Sequence, residues 1–262
     1  MRKIAVYFIV LTLLAALVSC GNAVQYKQVS EDFSNVESTA DKSHIDSILN
    51  QLPKYSEICK NIRINKIKFD KDLLLDVHTA NLYQNSKETA MAMGMFVADL
   101  GYARYFERVQ VCTDILEATK QMAEKLAVDN NIFSEYVPKI EENINDEQVI
   151  FATIDSLLNT NAIVPTEAEK YGITAMFVCG FWLETTYLGL AQETDTNEAN
   201  ASSMESHFRV LHSINELLSQ LSDTDAIESI KTDFASLEND GTGSEKIHEN
   251  IIAIRNRFVK II

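Results

Sequence analysis

Two carboxylates sit where only chemistry or packing can account for them. Asp99 lies in the run Thr89 to Phe106, which holds one other charged residue, Arg104, and Glu184 is the single charge between Tyr171 and Gln192. Each acid is followed three positions later by a tyrosine, Tyr102 and Tyr187. On a helix that spacing brings acid and phenol side by side. A carboxylate among apolar groups must be protonated, paired or bound to something, because burying it as an isolated charge is costly. Three roles fit. The acids could tie central helices to their neighbours through a phenol or through an arginine such as Arg104, Arg108 or Arg209. Asp99, Tyr102, Glu184 and Tyr187 could line a polar ligand pocket between helices. Or the two carboxyls could act as an acid–base or metal-binding pair. The structural role is preferred, since buried polar groups commonly specify packing.

Other constellations carry less. Glu245-Lys246-Ile247-His248 supplies one half of a di-iron bundle motif that needs two such halves and two further glutamates. Met91, Met93 and Met95 point apart on a helix and read as core rather than as copper ligands. His207 and His212 face apart too, at the margin of the Phe208–Leu211 stripe. Asp195-Thr196-Asn197-Glu198 lacks the glycine and distal glutamate of a calcium loop. Phosphate loops, nucleophile elbows, His-Glu-x-x-His and Cys-x-x-Cys are absent. No catalytic set, metal site or cofactor is predicted.

The N-terminus carries the clearest chemical signal. Arg2 and Lys3 precede an uncharged apolar run, Ile4 to Val18, too short to span a bilayer, and then Ser19 and Cys20. Leu17-Val18-Ser19-Cys20 followed by Gly21 resembles the lipobox of bacterial lipoproteins. That resemblance implies cleavage after Ser19, a lipid on Cys20 and a lasting membrane anchor. Lipoproteins with Asp directly after the cysteine are often kept at the inner membrane, and those with an acidic cluster there often reach the cell surface. Gly21-Asn22-Ala23 has neither, which favours the periplasmic face of the outer membrane.

Loss of residues 1–19 would leave 21 basic residues against 38 acidic ones, a net charge of −17. Such a surface repels phosphate backbones and anionic head groups, so nucleic acid is excluded as a partner and the lipid must do the anchoring. Residues 20–43 are polar and without apolar periodicity, and read as the lipidated cysteine plus a tether. An all-helical domain is predicted over 44–262, and few glycines or prolines speak for strands and turns.

Apolar positions at intervals of three, four or seven mark amphipathic helices through Met204, Phe208, Leu211, Leu218 and Leu221, through Ile227 to Leu237, and through Ile247 to Ile261. Asn239 to Ser244 reads as the turn between the last two, with Ser244 as N-cap. Pro53 and Pro165 fall at helix starts, and Pro138 is expected to break or bend a helix. Cys59, Cys112 and Cys179 match no disulfide or metal spacing and are expected to pack as small apolar groups. Thr89–Phe106 and Tyr171–Gln192 are apolar on every face. The second is long enough to cross a membrane, but its central Glu184 favours a buried core helix instead.

The fold class expected is therefore all-α, a multi-helix bundle around these two helices. Asp99-Leu100-Gly101-Tyr102 and Glu184-Thr185-Thr186-Tyr187 match at a period near 85, suggesting two similar halves of about 44–143 and 144–262. Asn81-Leu82-Tyr83, Gly94 to Ala103 and Gly180 to Glu184 resemble a family of all-helical bacterial lipoproteins of unassigned function. The function expected is a membrane-anchored, non-enzymatic binding or scaffolding role toward an envelope protein or small apolar ligand. The alternatives are a carboxylate enzyme or metal-binding bundle using Asp99 and Glu184, then a helical-repeat adaptor.

Overall fold

The computed structural model describes residues 68–126, 131–158, 171–190, 198–219, 225–239 and 245–260, together with Ser47, Asn50, Lys54, Tyr55 and Leu221. The signal segment 1–19, Cys20, the tether, Pro53, Cys59, Pro165, the 195–197 loop and Ser244 lie outside the described residues. Among those described, the structure is an all-α bundle without strands: α1 Ser86–Tyr105, α2 Val109–Leu126, α3 Asn131–Glu142, α4 Glu147–Leu158, α5 Tyr171–Leu190, α6 Glu198–Ser219, α7 Asp225–Asn239 and α8 Glu245–Lys260.

The two all-apolar helices pack against each other at the centre. Glycines let them touch backbone to backbone. A Cβ on Gly94 would stand 2.1 Å from the Phe177 carbonyl oxygen, and one on Gly180 would stand 1.9 Å from that of Met91. Asp99 and Glu184 meet further toward the C-terminal end of both helices, so α1 and α5 run parallel. α2 and α4 flank α1, while α6 and α8 flank α5. Gly172–Leu190, with a mean hydropathy of 1.3, passes a length-and-composition test for a membrane span, yet 83% of it is buried inside the bundle. Its apolar faces are used by protein.

The flanking helices bury single stripes, as their periodicity requires. Ile227, Phe234 and Leu237 of α7 and Ile247, Ile251, Ile254 and Phe258 of α8 all face the core, as do Met91, Met93 and Met95 of α1. Cys112 and Cys179 are buried free thiols. Burial pushes Cys112 up to about 11 and Cys179 higher, so both stay protonated and unreactive.

Of the two outcomes expected at Pro138, a break does not occur, since α3 continues through it, and Asn239 closes α7 instead of opening the following turn. His212 is exposed and bonded to Glu238, while the side chain of His207 lies outside the described residues.

α1 is closed at both ends by its own sequence. The Asn85 side chain accepts from the N–H of Glu88 at 2.8 Å, capping the start. At the far end the N–H of Arg108 donates to Ala103 and that of Glu107 to Arg104, each at 2.9 Å. This is a Schellman closure with Glu107 in the left-handed position, φ 58°. Before α1, residues 69–81 form a strap with short 3-10 turns at Lys71–Leu73 and Val77–Asn81.

Candidate functional site

Asp99 and Glu184 are both completely buried, one from each central helix, and lie close enough for each to act on the other's charge. The parallel register of α1 and α5 brings them together. Arg255 of α8 supplies the cation. Its Nε donates to both carboxylate oxygens of Glu184, at 3.0 and 2.8 Å, and a terminal nitrogen donates to Oε1 at 2.8 Å. The guanidinium lies over the Tyr187 ring, 4.0 Å from its centre. Such a forked, stacked geometry is available to arginine and not to lysine.

One proton completes the cluster. Burial pushes both carboxyls upward; Arg255 opposes this at Glu184, whereas the charge of Glu184 adds to it at Asp99, which ends well above the usual carboxylate range. Glu184 is therefore the ionised partner of Arg255, and Asp99 is the neutral acid that donates to it. The placement of Asp99 agrees: Oδ2 accepts from the Leu75 N–H at 2.8 Å, while Oδ1 is buried without a hydrogen-bond partner, which leaves it as the oxygen to carry the proton. A protonated Oδ1 needs an acceptor, and Glu184 is one.

The cluster also holds the strap. Arg255 reaches past Glu184 to donate to the Leu73 carbonyl at 2.7 Å, and Asp99 accepts from Leu75. Tyr102 accepts from the N–H of Asp70 at 3.0 Å and stacks on Phe69 at 5.6 Å. Opposite the strap, the Tyr55 hydroxyl donates to the Ala98 carbonyl at 2.9 Å, its ring lying where a Cβ on Gly101 would collide.

The structure thus brings Asp99, Glu184 and Tyr187 together, and sets Tyr102, three residues further along α1, against the strap. It corrects the cationic partner. Arg104 donates to the Asn145 carbonyl at the turn between α3 and α4, Arg108 lies over Phe69, and Arg209 is exposed. Arg255 was missed although its position is informative. It stands four residues after Ile251 and three before Phe258, on the buried stripe of α8. A charge on such a stripe needs a buried counter-charge, and Glu184 was waiting for one.

Cavities lined by described residues border this core. A groove of about 1140 Å³ runs between the strap and α2, and a smaller one of about 130 Å³ opens among Tyr83, Met91, Phe234 and Phe258. Neither is lined by Asp99, Tyr102, Glu184 or Tyr187. Among the described residues no group of three or more His, Cys, Asp or Glu side chains has metal-binding geometry. Comparison with protein-family models, curated proteins and solved structures finds no match to this chain.

Proposed function

We propose that this chain is a lipid-anchored envelope protein, held by Cys20 at the periplasmic face of the outer membrane, whose acidic helical body is a non-enzymatic binding or scaffolding module. Leu17-Val18-Ser19-Cys20 supports the anchor. The observation that carries the non-enzymatic role is the closure of the Asp99–Glu184–Arg255 cluster. Both acids are sealed from solvent, the two Glu184 oxygens are committed to Arg255, and one Asp99 oxygen is committed to Leu75. A carboxylate enzyme needs at least one of them to face a substrate. The parallel register of α1 and α5 supports the reading of two similar halves, about 44–143 and 144–262.

The test of the anchor is fractionation with metabolic palmitate labelling of the wild-type chain and Cys20→Ser. The wild type is expected in the membrane fraction with label, and the variant in the soluble fraction without it. A variant that stays on the membrane defeats the anchor.

A further inference from the structure

The strap held by the buried cluster also forms one wall of the 1140 Å³ groove, whose other wall is α2. The groove has two chemistries. Its floor is apolar, with Ile115 buried and Leu74, Val77 and Val111 half-buried. Its rim is acidic on both sides, Asp72 and Asp76 on the strap facing Asp114 and Glu117 on α2, all four exposed. Lys71 is the one lining side chain with a fixed positive charge. At the end of the strap, next to the groove residue Asn81, Leu82 is 50% exposed, the large hydrophobic residue most open to solvent among those described.

We propose that this groove docks a cationic segment with an apolar face from a partner protein in the envelope, a proposal that rests on the binding-module reading. An apolar floor excludes water best under apolar side chains, and two acidic rims select lysine or arginine on either side of them. The same rims repel anionic lipid and nucleic acid. The wall nearest the core is pre-positioned, because Leu73 and Leu75 are bonded to Arg255 and Asp99. A pre-ordered wall leaves less to be fixed on binding.

The experiment uses the detergent-solubilised full chain. The probes are a fluorescein-labelled amphipathic peptide of lysine and leucine, its glutamate–leucine counterpart, and a fluorescent fatty acid. Asp76 already caps its own turn through the N–H of His78, so the charge variants are taken from α2. Asp114→Asn with Glu117→Gln is expected to weaken the lysine–leucine peptide roughly fivefold, the scale of two partly exposed ion pairs. Glu142→Gln with Glu228→Gln removes the same charge from exposed positions outside the groove. At physiological ionic strength, that pair is expected to change binding by less than about 1.5-fold. Val77→Ser, at the half-buried floor, is expected to weaken it as well, and the glutamate–leucine peptide to show no binding.

Equal weakening by the two charge pairs means bulk attraction to an acidic protein and overturns the site. Tight binding of the glutamate–leucine peptide, or fatty-acid binding that displaces the peptide and ignores the rim charges, overturns the occupant. The Cys20→Ser result stands apart from these. If the groove fails while the anchor holds, the module binds elsewhere; if the anchor fails, the groove measurement is unaffected.

Discussion

Asp99→Asn tests the buried cluster most sharply, because asparagine copies the neutral acid atom for atom. Its oxygen can accept from Leu75 where Oδ2 now does, and its amide can donate to Glu184 from the Oδ1 position. The wild-type folded chain retains a proton on Asp99 that the unfolded chain sheds above about pH 4. A raised folded-state pKa places the stabilising contribution of Asp99 at low pH, from where it is lost as pH rises toward the raised value. The slope is that of one proton, about 1.4 kcal/mol per pH unit. Asparagine needs no proton. The variant therefore gains on the wild type along that slope, with a ceiling of about 4 kcal/mol by pH 7, some three units above the ordinary Asp value.

Glu184→Gln is the same chemical change on the facing helix and has the opposite effect. It strips the counter-charge from a buried guanidinium, at a cost of roughly 3–5 kcal/mol. Urea denaturation of all three proteins from about pH 4.5 to 8 reads both effects. A wild-type-to-Asn difference that stays flat with pH, or an Asp99→Asn loss as large as that of Glu184→Gln, would refute the placement of the proton on Asp99.

Three further outcomes follow from local geometry. Gly94→Ala or Gly180→Ala sets a methyl about 2 Å from a facing carbonyl oxygen, forcing α1 and α5 apart. Each is expected to lower stability by about 3 kcal/mol or more, and an unchanged melting temperature would show that the backbones are not in contact. Glu107→Gly relieves a left-handed side chain and removes a carboxylate from a helix C-terminus. It is expected to raise stability by about 0.5–1 kcal/mol in thermal unfolding, and a loss would contradict the Schellman closure. The hydrogen bond and charge of Glu238, with Glu216 nearby, hold the exposed His212 imidazole above its ordinary pKa. Glu238→Gln should bring its NMR titration midpoint down, and a midpoint that does not move means the pair does not form in solution.

The bundle was legible because its signals are local. Stripes at helical spacing survive in α6, α7 and α8, and the two runs apolar on every face mark the helices that others surround. Asp99 and Glu184 were legible as a problem, since a carboxylate on such a helix requires a partner. The partner was not. Arg255 is 71 residues from Glu184, and only tertiary packing chooses it over Arg104, Arg108 or Arg209. The strap was missed for a related reason. Leu73-Leu74-Leu75 has neither helical nor strand periodicity, and its course is set by the groups it hangs from. The continuation of α3 through Pro138 shows tertiary context overriding a local preference.

A segment with only two short 3-10 turns cannot hold its own place, so Tyr102 and Asp99 of α1, Arg255 of α8 and Lys125 of α2, which donates to the Ala80 carbonyl, must hold it. Arg255 has a double duty that lysine cannot copy. A planar fork meets both oxygens of Glu184 and still donates to Leu73, whereas a compact ammonium satisfies the carboxylate or the carbonyl but not both with good geometry. Arg255→Lys therefore keeps the buried charge pair and loosens the strap. Native-state hydrogen exchange should show the Leu75 amide losing protection while amides of α1 and α5 keep theirs. Because Leu74 and Leu75 line the groove, this variant should also bind the lysine–leucine peptide more weakly, although Arg255 does not line the groove itself. Loss of protection spread evenly over the chain would mean that Arg255 serves global stability alone. Unchanged exchange at Leu75 would mean that the strap is held by its outer contacts, and the link between the buried cluster and the groove would be broken.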